Sequence, residues 1–178
     1  QPQQMITAVC QAVPALRIRL GSLEPRIVTE EFCKQLQKLP NLCPQFHLAL
    51  QSGCDATLKR MNRHGGKQLI IDVIRKLRER VPDITLRTTA MVGFPGETEK
   101  DFVELCEFIK QTRFDRFGAF TFSPEEDTEA ALMPDQIDEQ VKQDRYDILM
   151  QTQLTVAEEK TAERVGSSLT VLCEGFDR

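Results

Sequence analysis

Apolar and polar residues alternate with a period of two in several short stretches of this chain and recur at helical spacing in the longer stretches between them. The alternation is most regular from Ile84 to Val92: Ile84, Leu86, Thr88, Ala90 and Val92 share one face, with Arg87, Thr89 and Met91 on the other. That pattern predicts a strand. Gly93-Phe94-Pro95-Gly96 breaks it, and Thr98-Glu99-Lys100-Asp101 starts a helix, with Thr98 as N-cap and Asp101 as its reciprocal acidic partner. Leu16-Arg17-Ile18-Arg19-Leu20 alternates as a strand leading into Gly21-Ser22-Leu23-Glu24-Pro25. Phe46 to Leu50 reads as a short apolar strand ending at Gln51-Ser52-Gly53, and Arg116 to Phe122 as a fourth ending at Ser123-Pro124.

Helical patterns separate these strands. Met5, Ile6, Val9 and Val13 mark a helix closed by Pro14, and Thr29 caps one carrying Phe32, Cys33, Leu36 and Leu39. Asp55 opens a short helix through Leu58 and Met61. After Gly65-Gly66 a longer one carries Leu69, Ile70, Val73, Ile74 and Leu77 on one stripe. Phe102, Leu105, Phe108 and Ile109 are the buried stripe of the helix after Thr98. The acidic stretch from Glu125 to Pro134 reads as a surface loop. An amphipathic helix from about Gln136 to Arg164 follows it, with Val141, Tyr146, Leu149 and Val156. Four strand-helix units in series require parallel strands with right-handed crossovers. Four such strands cannot close a barrel, and the chain opens in a helix. Residues 1–164 therefore read as the later part of an α/β barrel of (β/α) units, lacking its first strands. A new β segment starts at 165–178, with Leu169 to Leu172 as its first strand.

The turn after the central strand suits a ligand. Gly93 and Gly96 have no Cβ, so a planar group can approach the backbone, and positive φ costs them little. Pro95 fixes its own φ and restricts Phe94. No Lys-Ser or Lys-Thr follows the second glycine, so this is not a P-loop. The competing reading is a tight β-to-α connection that binds nothing.

Composition narrows the class. The chain has 178 residues, 40% hydrophobic and 28% charged, as in an ordinary globular protein. Its N-terminus lacks the basic and apolar parts of a signal peptide, which reads as cytoplasmic. A net charge of −4 offers no bulk field for nucleic acid. Basic clusters at Lys59, Arg60, Arg63, His64 and Lys67, and at Arg75, Lys76, Arg78 and Arg80, read as solvated helix faces rather than an RNA-contacting patch. The six cysteines lie ten or more positions apart, which predicts reduced thiols and no local metal-ligand cluster. Cys106 falls on an apolar helix face and reads as core. His47 reads as a structural strand residue and His64 as exposed.

With four strand ends in view, LGSLEP, LQSG, MVGFPGET and FTFSPEEDT resemble, in order and spacing, the radical SAM methylthiotransferases. The resemblance covers nearly all of the chain and implies a partial radical SAM barrel with a long C-terminal helix. It further implies the start of a TRAM-like β domain at 165–178. It also implies a transferase that adds a methylthio group with S-adenosylmethionine (SAM) and 4Fe-4S clusters as cofactors. By that resemblance Gly93, Phe94, Pro95, Gly96 and Glu97 support the adenine through backbone contacts. Gln51 and Ser52 sit near the ribose, Glu24 lies on the same rim, and Arg87 meets the methionine carboxylate. Each has a bland counterpart: Glu24 as a helix cap, Arg87 in an ion pair. The CxxxCxxC loop that binds the family's cluster has no counterpart here, so no metal ligand is expected in this chain, which on its own is expected to be inactive. From residue 62 onward the chain is most like the enzymes that modify an aspartate of small-subunit ribosomal protein twelve. Residues 16–60 look more like those acting on tRNA threonylcarbamoyladenosine. The ribosomal protein is the favoured partner, tRNA the runner-up, and a membrane is not expected. A non-catalytic barrel remnant that binds SAM or a partner is the reading from a different class. An ordinary phosphate-binding barrel enzyme is disfavoured because the central turn lacks a cationic ligand.

Overall fold

The computed structural model describes residues 2–171, 173 and 175. Among them the chain runs α1 (Pro2–Ala12), β1 (Ser22–Leu23), α2 (Glu30–Leu36), β2 (Gln45–Gln51), α3 (Asp55–Arg60), α4 (Gly66–Arg80), β3 (Thr85–Val92), α5 (Glu99–Thr112), β4 (Arg116–Thr121), α6 (Glu129–Leu132) and α7 (Glu139–Ala162). The four strands form one sheet in the order β1-β2-β3-β4. Every neighbouring pair is parallel. This is the sequential arrangement that strand-helix repeats impose.

The expected strand over residues 16–20 is not formed. Ile18 makes only an isolated bridge with Leu42, and the ladder begins at Ser22 and Leu23, beside His47 and Leu48. Gly21 therefore precedes the first strand instead of ending it. The cause is Asn41, whose side-chain amide donates to the carbonyls of Cys10, Val13 and Leu16 at 3.0–3.1 Å and bends this segment against α1. The acidic stretch before α7 also holds more structure than expected. Thr128 Oγ1 accepts from Ala131 N at 3.3 Å and caps α6, where Glu-Ala-Ala-Leu are good helix formers.

The core lies between the sheet and its helices. Phe46, Leu48 and Leu50 of β2 and Leu86, Ala90 and Val92 of β3 meet Phe32, Val73, Leu77, Leu105 and Ile109. The opposite face, carrying His47, Arg87, Thr89 and Met91, is half-buried or exposed. Between Leu48 and Gln51 the β2–β3 register shifts: Leu48 pairs Thr88, but Gln51 pairs Ala90. This bulge places Gln51 in the register position Leu50 would otherwise take.

Helix α7 packs along β4 and α5. Its inward residues are Lys142, Arg145, Leu149, Gln153 and Val156, while Val141 is 39% exposed. The stripe read from the apolar residues alone is thus only partly the buried one. Beyond α7, Leu169, Thr170 and Val171 belong to no strand, and Leu172, the end of the expected TRAM-like strand, lies outside the described residues.

Candidate functional site

The connection from β3 to α5 is built by hydrogen bonds within the protein. Gly93 and Gly96 both have φ 74°, a left-handed conformation that favours glycine. Gly93 N donates to Glu97 Oε1 and Glu97 N to Phe94 O, each at 2.9 Å. Gly96 N donates to Asp135 O, also at 2.9 Å. Phe94 is buried and meets Phe122 edge-on, with ring centroids 5.3 Å apart. Thr98 and Asp101 form the reciprocal capping box at the start of α5.

In the direction a Cβ would take, both glycines are covered by other side chains. A Cβ at Gly93 would collide with the stem of Lys142, and one at Gly96 would lie 3.2 Å from Arg60 Nε. Lys142 is buried, with its ammonium paired to Glu139 and 5.4 Å from the Phe122 ring centroid. On the far side of the turn, Glu97 is 3% exposed and meets Arg145 Nη1 at 2.8 Å. The same Nη1 donates to the Glu97 carbonyl at 3.1 Å. Burial pushes the Glu97 carboxyl above its ordinary range, and the Gly93 N–H and Arg145 pull it part of the way back.

Asp101 joins this turn to the one after β2. Its Oδ2 accepts from Thr98 N at 3.0 Å and from Arg60 Nη1 at 3.1 Å. Its Oδ1 accepts from Cys54 Sγ at 3.4 Å. Burial alone would raise the Asp101 carboxyl; these donors outweigh it and hold it below its usual value. Cys54 N in turn donates to the buried Ser52 Oγ at 3.2 Å.

Among the expected ligand residues, Gln51 ends β2, Ser52 follows it, and the Gly93–Glu97 turn follows the neighbouring β3 at the same sheet edge. Gln51 has φ 66°, uncommon for a residue with a side chain, and its Oε1 is buried without a hydrogen-bond partner. Glu24 follows β1, where its carboxylate binds Arg63 at 3.0 Å and Arg26 at 3.7 Å. Arg87 is not brought to this edge. It pairs in register with His47, roughly 20 Å along β3 from Gly93. There its charge and, first, burial lower the His47 pKa. The first basic cluster is not a simple solvated face either: Arg60, Arg63 and Lys67 are tied to Asp101, Glu24 and Glu104.

Lys142, Arg145 and Arg60 were missed as site residues. The two on α7 had a readable signal: positions 142, 145, 149, 153 and 156 share one helical stripe, so two charges fall in line with Leu149 and Val156. Nothing local in the sequence marks Arg60.

A family profile of the radical SAM superfamily matches residues 5–109. The chain belongs to the radical SAM superfamily. Ribosomal protein uS12 methylthiotransferase RimO of Clostridioides difficile is 43% identical over 157 residues, covering 88% of this chain and 35% of that protein. RimO of Desulfitobacterium hafniense is 44% identical over the same shares. RimO of Geobacter sulfurreducens is 41% identical over 89% of this chain and 36% of its own length. This radical SAM chain thus spans about a third of the curated relatives it matches. Among solved structures, coproporphyrinogen III oxidase (HemN) from Escherichia coli superposes with a TM-score of 0.66 at 15% identity, over 84% of this chain and 37% of that one. Archaeal Elp3 from Methanocaldococcus infernus gives 0.53 at 17% identity, over 76% and 31%. Both likenesses show a shared fold and nothing further.

The residues present fit one of the groups this superfamily implies. With the N–H groups of Gly93, Gly96 and Glu97 consumed, the edge offers acceptors: turn carbonyls, which keep a second lone pair, and the unpartnered Gln51 Oε1. The adenine amine and ribose hydroxyls of SAM are donors, so the chemistry is complementary. For a cluster the donor set does not fit: among the described residues no three His, Cys, Asp or Glu side chains converge. No helix among the described residues is long and apolar enough to cross a membrane.

Proposed function

We propose that this chain is part of a radical SAM methylthiotransferase whose substrate is ribosomal protein uS12, at an aspartate side chain. One observation carries the reading: relatives bearing that name align at 40–44% identity across 88–89% of the chain, both halves included. The resemblance of residues 16–60 to tRNA-modifying relatives is subordinate to that match. When bound in the complete protein, SAM would supply radical chemistry able to activate a carbon that acid and base cannot.

This chain's own part is to bind and orient. The carbonyls of the Gly93–Glu97 turn and Gln51 Oε1 accept from the adenine and ribose of SAM, with Ser52 shaping the connection beside them. Glu24, held by Arg63, forms the rim next to β2. Arg87, roughly 20 Å along β3 from Gly93, takes no part in holding SAM at that turn. The cluster ligands come from outside residues 1–178, and this stretch alone is expected to be inactive.

The test is to reconstitute the full-length protein anaerobically and supply SAM, reductant and either uS12 or tRNA. Mass spectrometry should find one methylthio group on the uS12 aspartate. Modification of tRNA instead would replace the substrate assignment. SAM binding without modification of either would favour a non-catalytic barrel.

A further inference from the structure

Arg145 reaches across from α7 to a carboxylate 48 positions earlier, and both members of the pair are more than nine-tenths buried. A buried pair of this kind is weak evidence of stabilisation, because desolvation offsets most of the attraction. What singles it out is where its hydrogen bonds go. Glu97 Oε1 accepts Gly93 N at 2.9 Å and Arg145 Nη1 at 2.8 Å, while Nη1 also meets the carbonyl of Glu97. Two groups therefore fasten the backbone at the first and last residues of the turn. Arg145 Nη2 reaches Glu99 at 3.5 Å, and its guanidinium lies 5.6 Å from the Phe102 ring centroid, so the side chain is itself held on two further sides. Gly96 N on Asp135 O adds a second tie from the segment just before α7.

We propose that Arg145 is a positioning residue for the SAM-binding turn: through Glu97 it sets the shape in which the Gly93–Glu97 carbonyls face the ligand. The proposal rests on the reading of that turn as the SAM site. It assigns α7, which carries none of the residues expected to bind SAM, a share in SAM affinity. A guanidinium suits this task better than an ammonium because its planar frame, with Nη2 toward Glu99 and its face near Phe102, fixes the direction in which Nη1 meets Glu97.

The experiment uses the full-length protein with Arg145→Lys, Arg145→Met, Glu97→Gln and the double variant Glu97→Gln/Arg145→Met. SAM affinity by calorimetry is measured beside thermal unfolding and amide exchange at residues 93–97. Arg145→Met should weaken SAM binding about tenfold or more, since displacing a ligand platform by a fraction of an ångström is costly. Arg145→Lys should recover part of the loss, and the double variant should bind no worse than Arg145→Met alone. Variants with faster exchange at the turn but unchanged SAM affinity would overturn the proposal, leaving Arg145 purely structural. Should Arg145→Met fail to fold, Glu97→Gln and Arg145→Lys carry the same comparison. A parent protein that binds no SAM would instead overturn the cofactor reading, and the proposal with it.

Discussion

Lys142 of α7 fills the volume a side chain on Gly93 would need: a Cβ there would lie 3.1 Å from Lys142 Cδ and closer still to Cγ. Helix and turn interlock because one has a long aliphatic stem and the other no side chain. Gly93→Ala combines a left-handed φ, costing about 1–2 kcal/mol, with overpacking of about 1–3 kcal/mol. Gly96→Ala shares the φ of 74° but meets only the Arg60 side chain, so about 1–2 kcal/mol is expected. Urea denaturation of both variants should rank Gly93→Ala as the more damaging, and equal losses would show that Lys142 yields freely. Replacing Lys142 with Ala beside Gly93→Ala should recover the packing part and leave the backbone part.

Acid stability should carry two opposing signatures. The Asp101 carboxyl sits below its ordinary value of 3.8, so its contribution is complete above that pH and is lost as the pH falls through the lower folded value. Glu97 sits above its ordinary 4.5, so the native state takes up its proton first and gains stability as the pH falls through the folded value toward 4.5. Urea midpoints against pH should show Asp101→Asn flattening the fall below 3.8 and Glu97→Gln removing the opposite slope above 4.5. Identical profiles for all three proteins would mean that neither Asp101's donors nor the burial of Glu97 perturbs the respective carboxyl as expected.

The six cysteines should divide sharply in reactivity. Cys10, Cys33, Cys54 and Cys106 are buried, Cys43 is half-buried and Cys173 exposed. Burial pushes the Cys106 thiol up to about 11, and raises those of Cys33 and Cys54 as well. Maleimide should label Cys173 first and Cys43 more slowly, with the other four modified only in denaturant. Rapid native labelling of Cys54 would break the Cys54–Asp101 link.

Asp115 fastens the C-terminal half of α7. Its Oδ1 meets Lys160 at 3.0 Å and Arg164 at 3.7 Å, while its Oδ2 accepts Leu86 N at 2.8 Å. Asp115→Ala should lose about 1–3 kcal/mol, chiefly because the Leu86 N–H loses its partner. Asp115→Asn, which keeps an acceptor, should lose less in the same urea titration.

Local regularities in the chain were enough to determine the parallel β/α series, the bounds of β2, β3 and β4 to within a residue or two, and the Thr98–Asp101 capping box. Each of these depends on residues close together in sequence, through side-chain period or a bond spanning three positions. The resemblance of the strand-end segments pointed to the family for the same reason, since those residues are contiguous. Only the tertiary structure decided that β1 starts at Ser22, because Asn41 holds the preceding segment through three distant carbonyls. It alone decided that Lys142 and Arg60 occupy the space beside the glycines, and that Arg145 closes the turn on Glu97. Hydropathy marks a lysine or an arginine as a surface residue. Burial of such side chains becomes tolerable only when a carboxylate or aromatic ring is already in place; for buried Arg145, as for half-buried Arg60, that partner comes from another part of the chain.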